Sequence, residues 1–552
     1  MTDMKKLLTI VAFAIAALPL SAQETYENAK IIAEDLNGTA RYVGMGGAME
    51  ALGADISTIG TNPAGIGLFR RSNISLSVGL VSQQDVDNVL GANKTNVSFD
   101  QAGFVWASRS DRSSFINVAF NFHKSRNFDF ILSAANGLDN ASLNKLTFAK
   151  ARATAVGHDE GVGGLLYEQK SGEPTSVEKD GEYELNYVPD FRYPYITCNQ
   201  LDEIYSRIPD FVYGGGSLWN YYNAQSFDFN RSHEGYIGEY DINLSGNIND
   251  RVYLGFTVGI HDVHYKHYSE YREAYADNNF ITTVDNREIT GMGYSVKLGA
   301  IFRPVEESPF RFGVSVSSPT FYKLTTSNYT YVTDDRLSFD NKGINDSRDR
   351  SNYKFKLHTP WKFGASLGHT IGEQVALGLS YEYADYGTID SRYITDEYYY
   401  DYYTDSYSDR SSSDRVMNQH SKRTLKGVHT IKVGGEFRPV PEMAVRLGYN
   451  YVSPMYDKEG FKDGTLDSDA SYVSSATDYT NWEDTHRITC GFGYTFDKFN
   501  VSLAYQYSIT NGKFSPFMGY TDNDIADFDN NAPLTKVSNK RHQLLCTLSY
   551  SF

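Results

Sequence analysis

The fold class predicted here is all-β: a transmembrane antiparallel β-barrel of about fourteen strands with an N-terminal hatch in its lumen. Three observations predict it. Leu544, Cys546, Leu548, Tyr550 and Phe552 alternate with Gln543, Leu545, Thr547, Ser549 and Ser551. A strand sends successive side chains to opposite faces, so one face there is apolar and aromatic and the other mostly polar. The same rhythm recurs upstream in segments of about ten residues, the length of a tilted membrane-spanning strand. The connections between segments are alternately short and long, which is how outer-membrane barrels are laced.

The chain has 552 residues and a mean hydropathy of -0.45. No apolar run reaches the roughly 20 residues a membrane helix needs. Residues 1–22 read as a secretory signal peptide: Lys5 and Lys6 precede the apolar run Leu7 to Leu20, and Ser21-Ala22-Gln23 offers cleavage after Ala22.

Residues 23–71 read as a hatch. A short helix is expected over 25–36, and the stretch from Gly38 to Gly67 holds eight glycines and the triplet Asn62-Pro63-Ala64. A fourteen-stranded barrel is wider than an eight-stranded, side-chain-filled one, so something must fill it. A segment this rich in glycine can pack its backbone closely against the wall.

Residues 72–552 read as the barrel. Strands are expected at 72–81, 100–108, 114–122, 235–247, 251–265, 287–303, 310–325, 353–369, 374–386, 427–438, 443–452, 485–496, 500–509 and 540–552. Short links fall at 109–113, 248–250, 304–309, 370–373, 439–442 and 497–499, and the largest of the long polar loops runs over 123–234. The register is plain in one strand, where Val252, Leu254, Phe256, Val258 and Ile260 oppose Tyr253, Gly255, Thr257, Gly259 and His261.

Charge placement sets inside from outside. Glu239, Asp241, Lys297, Lys354, Lys356, Lys362, Glu382, Lys432, Glu436 and Arg446 fall on the polar parity of their strands. A Lys or Arg facing lipid near the midplane costs about 2–4 kcal/mol, so these charges are expected in the lumen. The 43 tyrosines against 4 tryptophans suit interfacial girdles and wet loops. A net charge of -17 excludes nucleic acid as a partner. Cys198, Cys490 and Cys546 give no disulfide framework, and the last two read as small lipid-facing residues on non-adjacent strands.

The segment Gly38-Thr39-Ala40-Arg41, Gly44-Met45-Gly46-Gly47-Ala48 and Asp55 through Asn62-Pro63-Ala64-Gly65 resembles the hatch of the FadL-type family, the toluene-transporter-like superfamily of outer-membrane transporters for long-chain fatty acids and hydrophobic compounds. Leu357-His358-Thr359-Pro360-Trp361 leading into Gly364, with 374–381, is a second and weaker match. The resemblance implies a monomeric fourteen-stranded barrel in the cell outer membrane of a Gram-negative bacterium. It implies porin-like, passive uptake of a hydrophobic small-molecule ligand, long-chain fatty acid-like, caught by extracellular loops and released into outer-membrane lipid through a wall opening at the third strand. Hatch residues would be Gly44, Gly46, Gly47, Asn62, Pro63 and Ala64. The third strand, 114–122, holds no Gly or Pro to mark a kink.

In the long loop, Asn199 or Thr197 caps a possible helix whose Leu201, Ile204, Tyr205 and Ile208 form one apolar stripe, followed by Phe211, Trp219, Tyr221 and Tyr222. These are the candidates for ligand capture, against the plainer reading that they pack the loop onto the barrel mouth. The acidic, tyrosine-rich 391–415 loop departs from the family and suits another ligand.

Other signals in the sequence point to no site. His261, His264 and His267 sit at the loop end of a strand, but period two opposes His264 to the other two, so solvated interfacial histidines are expected. Asp522, Asp524, Asp527 and Asp529 lack the spacing of a Ca²⁺ loop. Gly44-x-Gly46 lacks a third glycine and a preceding strand, and no Gly-x-Ser-x-Gly elbow is present. No enzyme, cofactor or metal is expected. The alternative function class is an outer-membrane barrel that binds exported or secreted proteins, a secretion-system component.

Overall fold

The computed structural model describes residues 24–146, 221–335, 351–401, 406–463, 476–521 and 526–552, with the short strands Ser176–Lys179 and Glu182–Leu185. The signal segment, Cys198 and the loop residues Leu201, Ile204, Tyr205, Ile208, Phe211 and Trp219 lie outside them.

Helices α1 (Thr25–Ile32) and α2 (Ala40–Gly44) and two 3-10 turns (Ile56–Gly60 and Pro63–Leu68) precede the strands. The strands are β1 (Asn73–Gln83), β2 (Thr95–Arg109), β3 (Phe115–Asn127), β4 (Phe130–Ala141), β5 (Ser176–Lys179), β6 (Glu182–Leu185), β7 (Ala224–Ile248), β8 (Val252–Ala274) and β9 (Phe280–Phe302). They continue with β10 (Arg311–Ser317), β11 (Phe321–Asp334), β12 (Ser351–His358), β13 (Lys362–Ile371), β14 (Val375–Asp385), β15 (Asp390–Asp401) and β16 (Ser406–Ser413). Helix α3 (Arg415–Thr424) leads into β17 (Gly427–Val440), β18 (Met443–Val452), β19 (Tyr479–Phe496), β20 (Phe499–Ser515) and β21 (Thr535–Ser551).

The sheet closes on itself, because β1 pairs antiparallel with both β2 and β21. Closure removes the unpaired edge, which lipid cannot hydrogen-bond. Several staves are interrupted: β3 and β4 both pair with β7, and β10 and β11 both pair with β9. Counting each interrupted stave once gives the fourteen expected strands.

The two faces of the sheet are those of a membrane barrel. In β1, Ile74, Leu76, Val78 and Leu80 are 41–52% exposed while Ser75 and Ser77 are 4% and 0% exposed. A soluble sandwich would bury the first set and expose the second. Cys490 is exposed and Cys546 half-buried, on β19 and β21 with β20 between them.

Three expectations are corrected. Residues 123–127, 130–141 and 224–234 are strand, so the loop predicted over 123–234 is much shorter. The long strands β7, β8 and β9 run well past the membrane rhythm because their pairing continues without a break into alternating loop sequence.

The staves predicted at 310–325 and 353–369 are each broken, at Ser318-Pro319-Thr320 and Thr359-Pro360-Trp361. Proline gives no N–H to the ladder, so the strand stops there. The two breaks are neighbours: Thr320 N donates to Thr359 Oγ1 at 2.8 Å and Thr359 N donates to Thr320 O at 3.1 Å.

Across each three-residue break the alternation restarts out of phase. Phe363 and Leu367 face out on β13, with Ser366 turned in, but on β12 it is Tyr353, Phe355 and Leu357 that are buried. Lys354 and Lys356 therefore point outward, not into the lumen, and pair with Glu397 and Asp409 of the β15–β16 hairpin at 3.0 Å and 2.7 Å.

Candidate functional site

The N-terminal segment lies inside the barrel, and its seat is made of glycine on both sides. Gly46 and Gly47 have φ of +63° and +80°, a left-handed backbone that glycine adopts without strain. Opposite them the wall is bare. A Cβ on Gly378, Gly434 or Gly448 would overlap the backbone of Ala48, Met45 or Gly46. Gly44 and Gly491 face each other with the same economy, each Cβ position 3.2 Å from the other's Cα.

The Asn62-Pro63-Ala64 triplet has its own seat. Asn62 caps the 3-10 turn at Pro63–Leu68 by accepting from Ala64 N at 3.2 Å, and Pro63 supplies a first-turn residue that needs no N–H. Ser245 Oγ donates to Pro63 O at 2.8 Å, and Asn117 Nδ2 donates to Ile66 O at 2.7 Å. Across from the triplet stand Gly255 and Gly299, where side chains would overlap Pro63 and Asn62.

Ionic ties fix the segment from the side. Lys432 Nζ bonds Glu50 Oε1 at 2.8 Å and Glu382 Oε1 at 2.5 Å, and Ser380 donates to Glu50. Arg446 Nε and Arg41 Nε both meet Glu436 Oε2, at 2.7 Å and 3.1 Å. Lys432, Glu382, Glu436 and Arg446 are lumenal charges that parity predicted, and Glu50 and Arg41 are their partners on the segment.

Above this ionic layer is a cavity of about 340 Å³, in the usual range of small-molecule sites. Its apolar wall includes Ile31 and Ile32 of α1, Tyr322, Val428, Met455 and Tyr456. The parity change supplies Tyr322 to this surface and a buried cluster packed with it. Tyr322 and Leu324 on β11 and Tyr353, Phe355 and Leu357 on β12 turn inward and join one buried cluster with Ile237, Val263, Tyr265 and Ile289. Nearer the long loops a second cluster of Leu132, Phe227, Phe229, Tyr271, Phe514 and Phe517 covers the cavity, and Trp482 packs against both.

One flank of the cavity is cationic. Arg126 Nη1 lies 3.1 Å from Asp35, while Arg487 and Arg541 lie at 3.9 Å. Three guanidinium groups around one carboxylate leave an excess of positive charge facing the cavity.

The barrel wall is incomplete beside that flank. The β2–β3 ladder begins at Gln101↔His123, whereas β2 pairs with β1 as far out as Thr95. Ser125 is bulged out of the β3–β7 register, and the stave is interrupted at Phe128 and Asp129. The interval is filled from inside: Asp35 N donates to Ser125 O at 2.8 Å, and Asn37 Nδ2 donates to Lys124 O at 3.1 Å and Asp100 Oδ1 at 2.9 Å. Lys124 Nζ reaches across it to Ser98 Oγ at 2.9 Å. A bulge and a register change, with no Gly or Pro, interrupt this stave.

Burial alone would raise the Asp35 carboxyl, but Arg126, Arg541 and Arg487 outweigh it and hold the group below the ordinary range. A carboxylate whose value falls on docking stabilises the docked state above its undocked value and loses that contribution as pH drops through the lower one. Hydrogen-exchange protection factors of residues 33–38, corrected for the intrinsic pH dependence of amide exchange, are therefore expected to be unchanged from pH 7 to pH 5 and to fall only below roughly pH 4. Protection already lost at pH 5 would exclude Asp35 as the anchor.

The histidines differ from expectation. His264 is exposed as its parity requires, but His261 and His267 are 5% and 2% exposed and are not solvated. His261 Nε2 meets Ser295 Oγ at 2.8 Å, and His267 Nε2 meets Asp285 at 2.6 Å. Strands continue far beyond these positions, so what looked like a loop end is lumen wall.

Fold and site together define a plugged transmembrane β-barrel with a cavity above the plug. No family model and no curated protein matches the sequence. Solved structures similar to it include a FadL homologue of Pseudomonas aeruginosa, 11% identical, with 94% of this chain and 100% of that one covered at a TM-score of 0.46. The Pseudomonas putida toluene transporter TodX is 11% identical, covering 94% and 99% at a TM-score of 0.41. The Ralstonia pickettii toluene transporter TbuX is 9% identical, covering 94% and 99% at a TM-score of 0.43.

Proposed function

We propose that this chain is a FadL-type outer-membrane channel for passive uptake of hydrophobic small molecules, and that its preferred cargo is an amphiphile with an acidic head, such as a long-chain fatty acid. The observation that carries the proposal is the cavity: apolar at Ile31, Ile32, Tyr322, Val428, Met455 and Tyr456, cationic at Arg126, Arg487 and Arg541, and seated directly above the docked N-terminal segment. An apolar chain crossing the ionic layer beneath would lose about 0.8 kcal/mol per CH₂ returned to water. The interrupted third stave offers the alternative route, sideways into outer-membrane lipid, gated by Asp35 and Asn37. In this reading Gly44, Gly46, Gly47, Asn62, Pro63 and Ala64 form the hatch that blocks the straight path.

The test is mass spectrometry of small molecules retained by protein purified in mild detergent, followed by titration with a fluorescent fatty acid. A bound fatty acid near one per chain, displaced by the probe, is expected. An empty cavity that takes no apolar probe, with protein partners co-purifying instead, would overturn the proposal.

A further inference from the structure

At the floor of the cavity, three consecutive strands place His123, Glu239 and His261 directly across from one another, His123↔Glu239 on β3 and β7 and Glu239↔His261 on β7 and β8. Asp241 stands two residues further along β7, on the same face. We infer that this cluster is a divalent transition-metal site, of the Zn²⁺ class, whose carboxylates are held at rest by the ammonium of Lys297.

The distances carry the inference. Glu239 Oε2 lies 3.6 Å from His123 Nε2 and 3.7 Å from His261 Nδ1, and Asp241 Oδ2 lies 3.7 Å from His123 Nδ1. These separations are too long for hydrogen bonds. The two His123 distances run from opposite nitrogens of one ring, of which an ion takes one; each separation is close to the edge of a tetrahedron built on bonds of about 2.1 Å, as around Zn²⁺ with imidazole and carboxylate ligands. One ligand atom each from His123, Glu239 and Asp241 falls within 4.8 Å of the others.

A second observation is independent of the cluster's composition. Asp241 is 0% exposed, and its Oδ2 makes no hydrogen bond. A buried carboxylate oxygen without a donor costs several kcal/mol unless a cation faces it. Lys297 serves only the other oxygen, Oδ1, at 3.4 Å, while bonding Glu239. The oxygen left over points toward His123.

Supporting groups are in place. The second nitrogen of His261 is fixed by Ser295 Oγ, which leaves Nδ1 turned to Glu239, as a partner that orients a ligating carboxylate. His123, Glu239, His261 and Lys297 all line the cavity, so a cation can enter from it and the lysine can swing out into it. One imidazole, from His123, and two carboxylates form a borderline donor set that favours Zn²⁺ or Co²⁺ over Ca²⁺ or Mg²⁺, with His261 held against Glu239 from the next strand. Sequence spacing could not show this, because the ligands come from three strands and meet only through register.

The site works by competition: a divalent ion and the Lys297 ammonium contend for the same two carboxylates. It does not depend on which cargo the cavity holds. The experiment is Co²⁺ titration of untagged, full-length barrel in detergent, read by the visible d–d absorption, with Zn²⁺ stoichiometry by elemental analysis. One Co²⁺ per chain is expected, displaced by Zn²⁺. H123A/H261A should lower the affinity at least tenfold. K297M, which removes the competing cation, should raise it at least tenfold. Heat-dependent mobility on gels confirms that each variant is folded. No Co²⁺ on the unaltered chain beyond that on H123A/H261A overturns the inference, as does binding by K297M alone.

Discussion

Gly378→Val and Gly255→Val, made together, are expected to convert a closed channel into an open one in planar bilayers while leaving the barrel folded. Both glycines face the lumen, and at each a Cβ would overlap backbone of the N-terminal segment, at Ala48 and at Pro63. Backbone atoms in a packed seat cannot rotate away as a side chain can. Overpacking typically costs about 1–3 kcal/mol per site. Two sites then weaken docking by about thirtyfold or more, since each 1.4 kcal/mol is about tenfold. The strand ladders lose nothing, because Val is a good strand former.

Gly435→Ala is the control. Its Cβ would meet only Leu377 Cδ2, at 3.5 Å, on the lipid face, so conductance should stay at the unaltered level. Asn62→Ala removes one cap and is expected to act more weakly, by about 1 kcal/mol. Equal conductance in the double variant and the control would show that the segment is not what closes the lumen.

The logic of that experiment was half legible in the sequence. Alternation placed every stave, and charge parity placed Glu239, Asp241, Lys297, Lys432, Glu436 and Arg446 inside, where they are. The glycine-dense stretch from Gly38 announced close backbone packing. Its partners did not announce themselves, since Gly255, Gly299, Gly378, Gly434 and Gly448 look like ordinary small residues until register aligns them with the plug.

Parity fails at one kind of place. Pro319 and Pro360 are both visible, yet reading each stave as continuous across them assigns Lys354 and Lys356 to the lumen and Tyr353, Phe355 and Leu357 to lipid. The structure inverts all five. A three-residue interruption shifts a period-two pattern by one, which moves every following side chain to the other face. The same barrel is therefore ionic where it grips the plug, while above the breaks it turns Tyr322 to the cavity and packs Leu324, Tyr353, Phe355 and Leu357 in one buried cluster with it. The third stave hides its interruption for another reason. Its bulge at Ser125 is set by tertiary pairing with Asp35 and β7, and no local residue demands it.

The cationic flank gives the second large expectation. Arg487→Gln and Arg541→Gln together should weaken binding of a long-chain carboxylate by about ten- to a hundredfold, the value of one or two charge-assisted hydrogen bonds of about 1.5–3 kcal/mol. The fatty alcohol of equal chain length should bind the unaltered and altered proteins alike, because the apolar wall at Ile31, Ile32 and Tyr322 is untouched. The choice of residues matters. Arg126 makes the short pair with Asp35, at 3.1 Å, and its loss would strand a buried carboxylate and loosen the segment itself. Arg487 and Arg541 stand 3.9 Å away from Asp35, and each has another partner, Asn450 and the Asn127 carbonyl. Neutralising them changes the charge that faces the cavity more than it changes the docking of the plug. Equal loss for acid and alcohol would mean that the arginines shape the pocket and do not read the head group, and the cargo would then be apolar throughout.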